Sequence, residues 1–231
     1  MFNRILEAWQ SEMLEINKKP WMQRLASGDF KISHYKGYLL ETFHHTGINP
    51  QIQAYATMFF KNNPREIVDL FCKHARSEIG HDMAAMNDLE ALGEDRKELE
   101  RTHALPSTIA LNAFVLMQIQ FVDPIAYLGY LFHLEFMPTR QGKRHMEELQ
   151  KLGIPKEALS FLQEHATVDV GHNKMMESYV ALLVNDEDKL ETVIRATRYT
   201  AQLHYKMMAD AFENGEKLFS NAIGPAVKKS I

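Results

Sequence analysis

A chain of 231 residues that is 45% hydrophobic and 24% charged can bury a sizeable core, and a helical domain of this length need not split in two. Its net charge of −4, with Lys and Arg scattered, leaves no basic footprint for nucleic acid or an anionic membrane surface. Cys72 is the single cysteine, which excludes an intramolecular disulfide and a thiolate zinc site.

Residues 2–18 place Phe2, Ile5, Leu6, Trp9, Met13, Leu14 and Ile16 at helical spacing, predicting an amphipathic first helix. The charges mixed into that stretch do not fit a signal-peptide core. No apolar run in the chain approaches the roughly 20 residues of a membrane span, so a soluble cytoplasmic protein is expected. Residues 20–30 read as a connection turning at Gly28-Asp29. A second helix is predicted from about Ser33 past Phe43, broken near Gly47 and Pro50 before a helical stretch over 52–60. Pro64 reads as the first residue of one long helix that passes through Ile79 and Met83 to Leu92, with Gly93 as its stop. Residues 94–105 are charged and loop-like. Ser107 is a candidate cap for a helix through Ile119, and Asp123-Pro124 opens another that runs to about Lys151. Helices over 156–184 and 187–214 follow, the last closed by Asn214-Gly215. No segment alternates with period two between turns. The expectation is an all-α bundle in a single domain, 1–231, without repeats or linkers.

Candidate chemistry concentrates in four of these segments. In F-L-Q-E-H-A-T-V-D-V-G-H, residues 161–172, His165, Asp169 and His172 are spaced by four and three. On a helix they fall at roughly 0°, 40° and −20°, one narrow stripe, and apolar residues interleave with it. Two imidazoles and a carboxylate converging from one face suit a transition metal. In K-H-A-R-S-E-I-G-H-D-M, Glu78 and His81 are three apart, with His74 one turn before Glu78. Glu135 stands inside Y-L-G-Y-L-F-H-L-E-F-M-P, where an unpaired carboxylate would be costly to bury; Arg140 or His133 could satisfy it. Glu41 in Y-L-L-E-T-F-H-H-T-G is similarly placed, followed by His44 and His45, of which at most one should face the core. His34, His103, His145 and His204 read as surface or packing residues, and Cys72 as inert packing. Carboxylate-bridged pairs of iron or manganese ions are built in bundles from a Glu-x-x-His pair and single Glu residues on other helices. The inventory here is acid-rich and thiol-free, which favours those metals over structural zinc.

The series Glu78-x-x-His81, Glu135 and His165-x3-Asp169-x2-His172 resembles the haem-oxygenase-like di-metal oxidases, within the superfamily of thiaminase II and pyrroloquinoline-quinone synthase. The likeness extends over most of the chain and is also similar to the para-aminobenzoate-forming, death-domain-associated branch. It implies a bundle of about seven helices, often a homodimer, around a non-haem centre of two Fe ions (Fe/Fe or Fe/Mn). It further implies O2 as co-substrate, a small organic substrate desaturated, decarboxylated, cleaved or hydroxylated, and an external electron donor. The family's ligands map onto His81, Glu135, His165, Asp169 and His172. Seven residues before the first ligand His, where many members have Glu, this chain has His74; Glu78 stands three residues before it, and Glu41 is a further candidate. Met22 aligns with a tyrosine that the para-aminobenzoate branch carries, no His precedes His34 as an axial haem ligand would, and the thiaminase cysteine is missing from residues 127–135. Met83, Met117, Tyr130, Phe132, Phe136 and Tyr179 are candidates to line a substrate pocket, and Arg76, Arg140 and Lys174 to hold a substrate carboxylate. The rival readings are a cofactorless oxidase or thiaminase-like hydrolase using the histidines as acid–base groups, and a non-catalytic helical interaction protein.

Overall fold

A computed structural model describes residues 1–60 and 65–220, with the side chains of residues 167–170 excepted. Eleven α-helices follow one another among the described residues, and no strand occurs. They are α1 (Phe2–Asn17), α2 (Pro20–Ser27), α3 (Ile32–Thr46), α4 (Asn49–Thr57), α5 (Arg65–Ser77), α6 (His81–Ala91), α7 (Arg96–Leu99), α8 (Pro106–Met117), α9 (Tyr127–Lys151), α10 (Ser160–Leu183) and α11 (Glu187–Phe219). Among the described residues, no helix is long and apolar enough to cross a membrane. The all-α class expected from periodicity is observed; four local expectations are corrected.

The stretch over 20–30 is not a plain connection. Pro20 opens α2, where its missing N–H costs nothing, and Gly28 ends it at φ +79°; Trp21, Met22 and Leu25 are buried. The long helix expected to end at Leu92 is interrupted. α5 ends at Ser77, residues 78–80 form a turn in which Gly80 adopts φ +97°, and α6 begins at His81. Glu78 and His81 therefore do not share one helix face. Pro64, read as the start of that helix, lies outside the described residues. Residues 94–105 contain the single turn α7, capped by Asp95. Asn214-Gly215 does not close the last helix, which continues to Phe219.

Gly215 is needed for packing, not for stopping. A Cβ built on it would lie 2.2 Å from the Ser33 carbonyl oxygen, and one built on Gly37 would lie 2.1 Å from the Ala211 carbonyl oxygen. α3 and α11 thus touch backbone to backbone. Gly129 brings α9 against α11 in the same way, with Val193 O and Thr197 N at 2.5 and 2.6 Å from its absent Cβ. α11 is the spine against which α1, α3, α8 and α9 pack, while α10 lies along α9 and α6. The start of α10 is held from a distance: the Asp88 carboxylate on α6 accepts hydrogen bonds from Ser160 N (2.9 Å), Phe161 N (3.0 Å) and Ser160 Oγ (2.6 Å). That cap satisfies otherwise orphaned N–H groups and sets the register in which α10 faces α6.

Candidate metal centre

Glu135 on α9 is 6% exposed and is held by neither Arg140 nor His133. Its Oε1 lies 2.9 Å from His74 Nε2 and its Oε2 lies 2.9 Å from His172 Nδ1. His74 closes α5 and is fully buried. Glu78, in the turn that follows, adds a second carboxylate: its Oε1 is 3.6 Å from His74 Nε2 and 3.7 Å from His172 Nδ1, while Oε2 is 3.2 Å from His81 Nδ1. One ligand atom from each of His74, Glu78, Glu135 and His172 lies within 4.8 Å of all the others. Bonds of about 2.0–2.2 Å to one ion put its ligand atoms at separations within that limit.

His81 opens α6, and its ring centroid is 4.7 Å from that of His165 on α10. His165 Nδ1 donates to the Phe161 carbonyl oxygen at 2.7 Å. This bond fixes the tautomer and leaves Nε2 as a free lone pair, the arrangement by which a backbone carbonyl orients a metal-binding imidazole. Glu78 therefore stands between two imidazole pairs, His74 with His172 and His81 with His165. The Asp169 side chain lies outside the described residues; its backbone belongs to α10, between His165 and His172. Tyr179, expected in a pocket wall, instead stacks against His74 with ring centroids 6.3 Å apart.

The structure brings His74, Glu78, His81, Glu135, His165 and His172 together, but places Glu41 elsewhere. Glu41 is 1% exposed, and its Oε2 accepts from Leu105 N (2.9 Å) and from the Thr108 hydroxyl. It caps the start of α8, and burial raises its pKa despite those two bonds. Sequence reasoning could not separate Glu41 from Glu135, because both are carboxylates in apolar helical surroundings and only their distant partners differ.

Electrostatics favour a cation among these residues. Burial opposes charge on His74, yet Glu135 and Glu78 outweigh it and push its pKa up to about 9. Burial likewise works against the Glu78 and Glu135 carboxylates, and the imidazoles around them still hold both below the usual carboxylate range. Two buried negative charges draw protons onto neighbouring nitrogen, which a divalent ion would displace. Nitrogen and carboxylate oxygen without sulfur is a donor set for iron or manganese. The residues fit such a group.

The centre adjoins a cavity of about 110 Å³, on whose wall lie Glu78, Glu135 and His165. Of the aromatic and methionine residues expected there, Tyr130 lines it and Met83, Phe132, Phe136 and Tyr179 do not; Met117 is exposed. No Lys or Arg is among the described lining residues, so Arg76, Arg140 and Lys174 do not reach it. Cys72 is exposed, not packed inside, and is also absent from the lining. His45, His133, His145 and His204 do line it, although His145 and His204 read from the sequence as surface or packing residues.

The buried histidines on this wall predict a pH effect. Burial pushes His45 down to about 4 against a hydrogen bond to Asn112, and burial with His133 and His45 nearby lowers His204 well below its ordinary value. Below about pH 6.5 the unfolded chain takes up protons that the folded chain refuses, so stability falls as pH drops toward 4. At pH 5 His45 alone should cost about 2 kcal/mol relative to pH 7.5, with His204 adding in the same direction. Urea unfolding at the two pH values checks this, and His45→Phe should reduce the difference by about that amount.

Residues 36–205 match the family model described as an iron-containing redox enzyme. Solved structures share the fold, among them the following two. A domain of unknown function with a heme oxygenase-like fold, from Shewanella denitrificans, superposes with a TM-score of 0.83 at 21% identity, covering 95% of this chain and 93% of that one. A TenA homologue from P. horikoshii superposes with a TM-score of 0.73 at 12% identity, covering 92% and 98%. No curated protein sequence matches.

Proposed function

Because this chain belongs to the iron-containing redox enzyme family, we propose that it is a non-haem di-iron, or iron–manganese, oxidase that uses O2 to transform a small organic molecule. The observation that carries the reading is the buried four-residue cluster of His74, Glu78, Glu135 and His172, from α5, the turn after it, α9 and α10. Those residues would hold one ion, and Glu78 with His81 and His165 would hold a second. When bound, the metal pair would supply O2 activation and the oxidising power to break a C–H or C–C bond of the substrate.

The protein's own contribution is placement. Glu78 presents one oxygen to His74 and His172 and the other to His81, which suits it to span two ions. The Phe161 carbonyl keeps the His165 Nε2 lone pair available. Met13, Met22, Leu25, Phe30, Leu131 and Phe212 supply apolar wall to the adjoining cavity, which favours an organic substrate over water and protects a reactive centre. A thiaminase-like hydrolase reading is disfavoured, because Cys72 is exposed and does not line the cavity.

Iron loading tests the proposal. Chelator-treated protein titrated anaerobically with ferrous ion should take up about two Fe per chain, since a two-metal site needs both. It should release protons as it does so and then consume O2 when a reductant and air are supplied. Uptake below about 0.2 Fe per chain would remove the two-metal reading.

A further inference from the structure

Trp9 on α1, His133 on α9 and His204 on α11 form a hydrogen-bonded line through the core. Trp9 Nε1 lies 3.1 Å from His133 Nδ1, and His133 Nε2 lies 2.9 Å from His204 Nδ1. An indole N–H can only donate, so His133 Nδ1 must accept. The proton of a neutral His133 then sits on Nε2 and is donated to His204 Nδ1, which in turn places the His204 proton on Nε2. That N–H meets no acceptor among the described residues, although His204 is only 4% exposed and lies on the cavity wall.

His45 on α3 ends a second line with the opposite polarity. Its Nδ1 donates to Asn112 Oδ1 at 2.7 Å, so its Nε2 carries a lone pair. The nearest hydroxyl, on Tyr130 at 3.4 Å, spends its single proton on Asn49 Oδ1 at 2.8 Å. The His45 and His204 ring centroids are 6.1 Å apart, and both rings line the same cavity. A donor on His204 that meets no described acceptor thus shares the cavity wall with an acceptor on His45 whose one described neighbour is the long Tyr130 contact, and a better partner would stabilise both.

We infer that the cavity binds an uncharged, largely apolar molecule through one hydroxyl group, which accepts from His204 Nε2–H and donates to His45 Nε2. A single oxygen can hydrogen-bond two nitrogens up to about 5 Å apart, and the two ring centroids are 6.1 Å apart. A carbonyl would satisfy His204 and leave His45 without a donor. A carboxylate would face the His45 lone pair with no Lys or Arg on the described walls to offset its charge. The size of the cavity, about 110 Å³, suits a single ring or a short chain; an apolar cavity of about 150 Å³ holds benzene. As the substrate class of the proposed oxidase, this inference rests on the reading of the previous section, but binding itself requires no metal. Iron uptake and ligand affinity can therefore fail separately.

The test uses the full chain, iron-free and iron-loaded, in calorimetric titrations with 4-methylphenol, toluene and 4-methylbenzoate. In both forms 4-methylphenol should bind about tenfold more tightly than toluene, from two hydrogen bonds to neutral groups, and 4-methylbenzoate should be the weakest in the iron-free form. His204→Phe should bring 4-methylphenol to the toluene level while leaving toluene unchanged. Trp9→Phe, which frees the His133 tautomer without touching the cavity wall, should lower the preference for 4-methylphenol in the same direction. Equal affinity of wild type for 4-methylphenol and toluene would overturn the inference and assign the two nitrogens to a bridging water. Tightest binding of 4-methylbenzoate to the iron-free form, or no binding of any of the three, would also overturn it. The three-ligand comparison on wild type decides the matter even if His204→Phe does not fold.

Discussion

Glu135→Ala is expected to abolish iron retention and to lower iron-dependent O2 consumption by at least about 100-fold, since even partners one shell out from a metal cost 10- to 100-fold. It should also destabilise the metal-free protein by about 3 kcal/mol or more. The two effects share a cause. The Glu135 carboxylate is buried and lies 2.9 Å from an imidazole on either side, His74 and His172. Removing it takes away the main influence that holds a proton on His74 up to about pH 9, and leaves Glu78, at 3.6 Å, as the remaining carboxylate beside a fully buried imidazole. A buried charge that loses its partner is among the largest single-residue penalties. Glu135→Gln separates the contributions: the amide can still hydrogen-bond one imidazole, so folding should suffer less, while the lost negative charge should still prevent iron binding. Metal analysis and denaturant unfolding of both variants provide the readouts. Wild-type iron content in Glu135→Ala would exclude this residue as a ligand.

Gly37→Ala is expected to be the most damaging single-methyl addition in the core, at about 3 kcal/mol, the upper range for overpacking. The new Cβ would stand 2.1 Å from the Ala211 carbonyl oxygen and 2.7 Å from Gly215 Cα. Both obstacles are backbone, so no side chain can rotate away and α3 must separate from α11. Gly215→Ala should behave alike, with the Ser33 carbonyl oxygen at 2.2 Å. α3 carries His45 and α11 carries His204, so the same separation should loosen the cavity. Gly171→Ala is the control: it lies in α10 beside His172, has nothing within 4 Å of its built Cβ, and should be neutral or stabilising by up to about 1 kcal/mol. Thermal and urea unfolding of the three variants compare them directly. A loss below about 1 kcal/mol in Gly37→Ala would mean that the two helices part easily.

Much of the centre was legible because its ligands obey local rules. His165 and His172 lie on one helix with apolar neighbours, and a carboxylate at position 135 among aromatics demands a partner. The turn at residues 78–80 was not legible: Ile79 and Met83 continue the apolar period of the preceding helix, so Gly80 looked like a tolerated interior glycine. The structure breaks the helix there, and that break lets Glu78 face two imidazole pairs at once. The role of His74 is hidden for a different reason: it depends on Glu135, 61 residues away.

By itself, the sequence determined the helical class, the exclusion of an intramolecular disulfide and the ligand types, because periodicity and composition are properties of neighbours along the chain. Tertiary structure alone decided which buried carboxylate meets imidazoles and which caps a helix, and that His45, His133 and His204 share a cavity wall. Those outcomes depend on how closely α11 approaches α3 and α9. That approach is governed by Gly37, Gly129 and Gly215, whose significance lies in what is absent from them and becomes visible only when another backbone occupies the space.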